Sequence, residues 1–520
     1  MRKNLKRGII CILAFMMLFS GCSNDKESAN LQDNAQRSLT HKICEEPLEL
    51  TILYQKPKSE KNIFTEAFDK TNVNLKFDLG TNNTDFDQAL ALAIASKELT
   101  DIVYTYKRGS FIDYGMSGAL IPLNDLIKEH APNIKKYLDE NPDVERYITA
   151  PDGNIYWVPF IQELLTSNGW FIREDWLEKL GLDKPDTLDE FYDTMVAFKT
   201  QDPNGNGIQD EVPYFSSKSK TADVVKDFGG LFDAYTSFRY EGDKVSYGPF
   251  EPQFLNMIKT VTKWYEEGLI DEEVFTRKSQ REYFLGNNLG GITHDWFTST
   301  SAYNSTVGKS IEGFRFVPFA PPEDVNGNRI EQTSRGKIGA EGWAITANCK
   351  HPVEAIKYFD YWWSREGQIA GSYGVEGITY NMVDGEPKFT EEFLTSTDPQ
   401  PMNLLRQYRT AMNWGIVNLA GGEMDMAHPI AKEGMQMYID NGYLPEKTVQ
   451  LVYTEDEQEL VTKYKGQVET HLNEMVQKWI LGNTDIDLSY ELFIDEMKSF
   501  GAEEYLEIEQ RAYDRYLAED

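Results

Sequence analysis

Cysteine is scarce in this chain: four in 520 residues, at positions 11, 22, 44 and 349. So few cannot build a disulfide-stapled fold. Histidine is equally sparse, with six scattered residues and no His-x-x-x-His pair to hold zinc. No Gly-x-Ser-x-Gly turn offers a hydrolase nucleophile. Gly308-Lys309-Ser310 has the end of a phosphate loop, yet Tyr303 stands where its first glycine belongs. Positive charge is short as well, 52 basic against 84 acidic residues for a net charge of −32. So acidic a surface repels phosphate backbones, and no Lys/Arg stripe reverses this locally. Nucleic acid is excluded as a partner. Long apolar runs are missing beyond the first twenty residues, so the rest reads as a water-soluble body.

What is there begins at the N-terminus. Arg2, Lys3, Lys6 and Arg7 precede an apolar run from Gly8 to Phe19, and Ser20-Gly21-Cys22 follows at once. A charged stretch, an apolar stretch and small residues before a cut form a secretory signal. The run is too short to span a hydrocarbon core of roughly 30 Å at about 1.5 Å per residue. Leu18-Phe-Ser-Gly-Cys22 resembles the lipobox of bacterial lipoproteins, with Phe19 where Leu is usual. Cys22 is therefore read as the lipidated residue of a protein anchored outside the cell membrane. That leaves Cys44 and Cys349, either as one bridge or as two lone thiols.

Residues 23–45 are polar and read as a flexible tether. Leu48–Tyr54 alternates like a strand, Ile63–Thr71 is helical, and Val73–Leu79 is a second strand. Phe86, Leu90, Ala93 and Ile94 recur at helical spacing, and Leu99–Tyr106 reads as a buried strand. Strand, helix, strand, helix, strand points to a parallel sheet. The pattern restarts after Pro159 with Gly169–Arg173 as strand and Glu174–Leu180 as helix, stopped by Gly181. Thr187-Leu-Asp-Glu190 is a capping box opening a helix that buries Phe191, Met195 and Phe198. Phe284–Thr293 and Phe314–Phe319 read as strand and turn. Pro352 opens a helix with Ile356, Phe359 and Trp363 inward, Trp362 also joining the core, and 455–482 and 488–520 are helical. The fold class is α/β with two lobes.

One loop carries a metal signature. Asp202, Asn204, Asn206, Asp210 and Glu211 set hard oxygen donors at relative positions 1, 3, 5, 9 and 10, with the Ile208 carbonyl at 7 and Gly207 at 6. Calcium takes six to eight oxygens, and this spacing turns side chains inward. It looks like an EF-hand loop whose closing carboxylate has moved, since position 12 is Pro213. The competing reading is a solvated Asn-Gly turn. One structural calcium is expected.

From Trp170 to Leu182, then Pro185, the Thr187 box and the Asp202 loop, the chain resembles the family 1 extracellular solute-binding lipoproteins of bacterial ABC sugar importers. The likeness is to the branch taking oligosaccharides of plant or algal polysaccharides, and the alginate-oligosaccharide receptors are similar in their calcium loop. Leu99–Val103, Glu341–Ile345, Pro352–Ala355 and Gly374–Tyr380 extend it over nearly the whole mature chain. The resemblance implies a periplasmic-binding-protein-like fold, two α/β lobes joined by a multi-strand hinge with a largely helical C-terminal tail. Signal (1–21) and tether (22–45) come first. Lobe one then takes 46–160 plus 345–405, and lobe two takes 161–340 plus 415–520. It also implies a monomer that hands its ligand to ABC permease subunits.

A sugar ring has an apolar face and a hydroxyl rim, so its site needs aromatic platforms beside polar side chains. Asp295 with Trp296 supplies both types, and Trp296 resembles the family's stacking position. The other candidates are Trp170 with Arg173, Tyr104 with Tyr106, Trp343, Glu376 with Tyr380, and Asn413 with Trp414, each also explicable as core. No catalytic residue is assigned. The alternative is a secreted glycoside hydrolase or lyase, for which Asp295 and Glu376 would be the carboxylate pair. A surface adhesin would show repeats or short sandwich strands, and neither is evident.

Overall fold

The computed structural model describes residues 42–79, 86–216, 221–277, 280–332, 335–396, 399–410, 413–445 and 449–519. The signal, most of the tether and Cys22 lie outside the described residues. From Ile43 onward the chain forms one compact unit.

The first strands are β1 (Leu48–Gln55), β2 (Val73–Leu79) and β3 (Ile102–Thr105), separated by helices Ile63–Thr71 and Phe86–Ser96. The first helix has the boundaries its periodicity predicts. Asn62 caps it, its Oδ1 accepting from the N–H groups of Phe64 and Thr65 at 3.0 and 3.2 Å, and Asn72 ends it at φ 64°. There follow β4 (Val158–Gln162), β5 (Asn168–Arg173), β6 (Val212–Tyr214), β7 (Phe238–Glu241), β8 (Lys244–Tyr247), β9 (Gly290–Trp296) and β10 (Phe316–Phe319). The last are β11 (Ile338–Ile345), β12 (Tyr380–Val383), β13 (Glu386–Phe389) and β14 (Val417–Asn418).

Six strands form one sheet in the order β14-β4-β11-β3-β1-β2. β1 is parallel to β2 and β3, β4 is parallel to β14, and β11 runs antiparallel between β3 and β4. Five strands therefore point their carboxyl ends to one edge. A second sheet, β10-β5-β9-β6, is mixed: β5 is antiparallel to both neighbours and β6 is parallel to β9. β7–β8 and β12–β13 are separate hairpins.

Each sheet has its own apolar core. Around the first, Phe111 stacks on Trp157 at 4.6 Å and Trp343 on Phe359 at 4.4 Å. Helix Pro352–Trp363 covers it with Ile356, Phe359, Trp362 and Trp363, as its pattern predicts. Around the second, Trp170, Phe191, Phe228 and Trp264 interlock, joined by Val468, Leu472 and Trp479 of helix Glu455–Ile480. Each such aromatic pair adds about 0.5–1.5 kcal/mol beyond its area burial.

The chain passes between the sheets three times: from β4 into β5, from β10 back into β11, and after β14 into helix Pro429–Asp440, which packs on β10. Two local readings need correction. Phe284 and Leu285 belong to helix Gln280–Gly286, so only the second half of that segment, in β9, is strand. The Thr187 capping box is half formed, because Thr187 Oγ1 accepts from Glu190 N–H whereas the Glu190 carboxylate reaches Asp186 N–H. Cys44 and Cys349 are both free thiols, and burial pushes Cys349 up to about 11.

Candidate functional site

The carboxyl edge of the six-stranded sheet is where β4 leaves for the second sheet and β11 returns from it. Open α/β sheets bind ligands outside this edge. Trp296 ends β9 opposite Asn168, the first residue of β5, and its side chain is 42% exposed. The Arg335 guanidinium, from the second crossing, lies 5.0 Å from the centre of the indole. Arg335 N–H donates to the Leu165 carbonyl of the first crossing at 3.1 Å, and its Nη2 donates to Glu423 Oε1 of the third at 2.9 Å. All three crossings thus meet beside one exposed aromatic face.

Behind Trp296 the strand is charged and dry. Asp295 is fully buried and pairs through both oxygens with Arg281. His294 Nδ1 lies 2.9 Å from Asp227 Oδ1 and Nε2 lies 2.7 Å from Glu331 Oε2. Burial opposes charging this ring, but Glu331 and Asp227 outweigh it and raise His294 to about 9.

On the six-stranded side, Asn413 Nδ2 donates to Glu341 Oε1 at 2.8 Å. Arg108 opens helix Arg108–Met116 directly after β3, stacks 4.7 Å over the Tyr147 ring and donates from Nε to the Tyr147 carbonyl at 2.9 Å. Tyr106 is 45% exposed, its hydroxyl donating to Asp87 and Lys107 lying over its ring.

Seven of the candidates read from sequence are core rather than contact surface. Trp170 is buried, edge-on to Phe191 and His294. Arg173 is buried between Trp176 and Phe314 and chelates Asp175 through Nε and Nη2 at 2.8 and 2.7 Å. Trp343 stacks under Phe359, Trp414 meets Trp362, and Tyr104 meets Tyr54. Tyr380 packs on Tyr373, and Asp295 is spent on Arg281. Trp296, Tyr106, Asn413 and the exposed Glu376 stay accessible. Arg335, Glu423 and Arg108 were missed; only the Lys107-Arg108 pair just past a strand end carried a sequence signal.

The 202–211 loop follows helix Leu188–Thr200. Asp202 turns inward: Oδ1 accepts from Gly205 and Asn206 N–H at 3.0 and 3.1 Å, and Oδ2 from Gly207 N–H at 3.0 Å. Asn204 Oδ1 and Asn206 Oδ1 accept from the amides two residues on, at 2.9 and 2.7 Å. Gly205 and Gly207 adopt φ 74° and 81°, which L side chains rarely adopt. Glu211 is buried and its Oε2 has no hydrogen-bond partner. Burial holds its carboxyl above the ordinary range, and Asp202 and Asp210 add to this. A buried carboxylate oxygen facing other anionic donors fits a cation. Among the described residues, no three His, Cys, Asp or Glu side chains gather into a metal cluster by themselves, so the asparagine and backbone oxygens would be needed. A separate cavity of about 450 Å³ lies beside this loop, between Arg173, Trp176, Lys179 and Asn204, at the far end of β5 from Trp296.

Residues 54–369 match the family described as bacterial extracellular solute-binding protein. The chain belongs to that family. It is 25% identical, over 99% of both chains, to the fructooligosaccharide ABC transporter substrate-binding protein FusA of Streptococcus pneumoniae serotype 4 (strain ATCC BAA-334 / TIGR4). The crystal structure of the alginate-binding protein AlgQ2 without calcium ion aligns with a TM-score of 0.79 and 36% identity, over 91% of this chain and 99% of that one. An EF-hand mutant of S. pneumoniae FusA in complex with fructo-nystose aligns at a TM-score of 0.74 and 21% identity, over 91% and 100%, and so shares the fold. These relatives are binding proteins, not enzymes. Among the described residues no helix is long and apolar enough to cross a membrane.

Proposed function

We propose that the chain captures an oligosaccharide between its two sheets and delivers it to the permease of an ABC importer. The observation that carries this reading is Trp296, an exposed aromatic platform where the three crossings converge. Tyr106, Asn413 and Glu376 supply accessible polar groups for the hydroxyl rim. Ligand closes two lobes about the crossings, because it binds the closed form more tightly. Lobe one is built on the six-stranded sheet and lobe two on the four-stranded sheet, so the bounds read from sequence shift: β11 (Ile338–Ile345) and β14 (Val417–Asn418) belong to lobe one, not to 161–340 and 415–520. One calcium ion sits in the 202–211 loop and stiffens it. The relatives' description as an alginate-binding protein and a fructooligosaccharide-binding protein supports the saccharide reading, and the calcium-free and EF-hand-mutant structures support the metal. Cys22 carries the lipid that holds the chain to the outer face of the cell membrane, so Cys22→Ala would release it into the medium.

The hydrolase alternative loses its carboxylate pair, since Asp295 is buried against Arg281 while Glu376 is exposed. Incubating pure protein with oligosaccharides tests the choice. A receptor returns them intact with a raised melting temperature; shorter products would overturn this reading.

A further inference from the structure

This chain has acid to spare, 84 acidic residues against 52 basic. Other arginines use it: Arg409 feels Glu423 without pairing with it, and Arg173 meets Asp175, Arg277 meets Asp271, Arg281 meets Asp295 and Arg335 meets Glu423. Arg108 does not. Among the described residues no carboxylate lies within ion-pairing reach of it, and its Nη2 is buried without a hydrogen-bond partner. Burial pulls its guanidinium below the ordinary range, and the ionisable groups acting on it are the phenols of Tyr147 and Tyr453.

A desolvated cation without a counter-ion is costly, and each such group calls for an explanation. The local backbone does not supply one. Arg108 is the first residue of its helix, Lys107 precedes it and the first turn holds no acid, so it sits at the positive end of the helix dipole. A Cβ on the neighbouring Gly109 would meet nothing within 4 Å, so the helix start opens onto free space. Arg108 stands at the carboxyl edge of the six-stranded sheet. Tyr453 comes from the residues before helix Glu455–Ile480, whose apolar face lies in the other sheet's core. The unpaired charge is thus between the two halves. The acid on the same edge, Glu341, is engaged by Asn413.

We infer that the captured saccharide carries a carboxylate, a uronic acid unit, and that Arg108 is the side chain that receives it; this rests on the saccharide-receptor reading above. A guanidinium offers a planar fork of N–H donors matched to a carboxylate, and the ring of Tyr147 holds its plane fixed.

The test is calorimetric titration of the whole chain, at saturating calcium, with oligogalacturonate, with alginate oligosaccharide, with the methyl ester of each, and with a neutral fructooligosaccharide. The ester keeps the ring and loses the charge. At least one acid should bind about tenfold or more tightly than its ester, a difference of about 1.4 kcal/mol. Arg108→Gln should bring the acid down to the ester's affinity and leave the ester unchanged, while Arg108→Lys keeps part of the difference. Equal binding of acid and ester by the unaltered chain overturns the inference without any variant having to fold. So does binding of the neutral sugar alone, which leaves the receptor reading standing. Binding of none of the five sinks both.

Discussion

The Arg335 guanidinium lies over the Trp296 indole, 5.0 Å from its centre, while Arg335 Nη2 donates to Glu423 Oε1 at 2.9 Å. The indole is 42% exposed and held in place by this contact, so it offers a sugar ring a platform already fixed. Trp296→Ala removes that platform without touching either core. It should weaken saccharide binding by more than about tenfold, about 1.4 kcal/mol, with an unchanged melting temperature of the free protein. An unaltered dissociation constant would refute the assignment.

Calcium removal should lower the melting temperature, because Glu211 then stays buried without a partner for Oε2. Asp202→Ala should lower it to the same value and make it insensitive to chelator. Extracellular calcium modules bind at about 10⁻⁴–10⁻³ M, so the midpoint of recovery belongs in that range. A melt that ignores chelator in the unaltered chain would remove the metal from the account.

His294 gives a pH dependence of defined sign. Its folded value of about 9 lies above the ordinary imidazole value, so below pH of about 6.5 both states are protonated and its stabilisation is complete. Between there and pH 9 only the folded state keeps the proton, and stability falls by up to about 1.4 kcal/mol per pH unit. His294→Gln removes the imidazolium that Asp227 and Glu331 share. It should cost about 3–5 kcal/mol at pH 6, and the gap should narrow as pH approaches 9. Urea unfolding at three pH values measures both; equal slopes in the two proteins would show that the ring is neutral.

Asp295→Asn discriminates core from contact. It strips Arg281 of its counter-ion, so the expected loss is about 3–5 kcal/mol of stability. Affinity of the surviving folded protein should change by less than about threefold, under 1 kcal/mol. A large loss of affinity at unchanged stability would return Asp295 to the binding surface.

Periodicity and caps made much of the fold readable. Ile63–Thr71 is a helix because Asn62 and Asn72 bracket one apolar face, and Pro352 marks the start of the next core helix as expected. Local pattern failed where an apolar pair fits either structure: Phe284-Leu285 ends a helix that begins at Gln280, and a window opened at Phe284 misses it. The site was less legible. Trp296 follows Asp295 and Trp170 lies three residues before Arg173, yet one is 42% and the other 3% exposed. Their partners on β5 and β9 decide this, and pairing between distant strands leaves no local trace. Arg335 and Glu423 are 88 residues apart and meet only because two crossings run side by side.

The three crossings also dictate how this molecule could be divided. The larger sheet takes strands from both sides of the smaller, and the smaller, though its strands all lie within 168–319, completes its core with the C-terminal helices. No single truncation yields one half alone. A proteolytic nick in any one linker would leave two fragments still threaded through each other by the remaining two, so cleavage there should be silent on a native gel and visible only after denaturation.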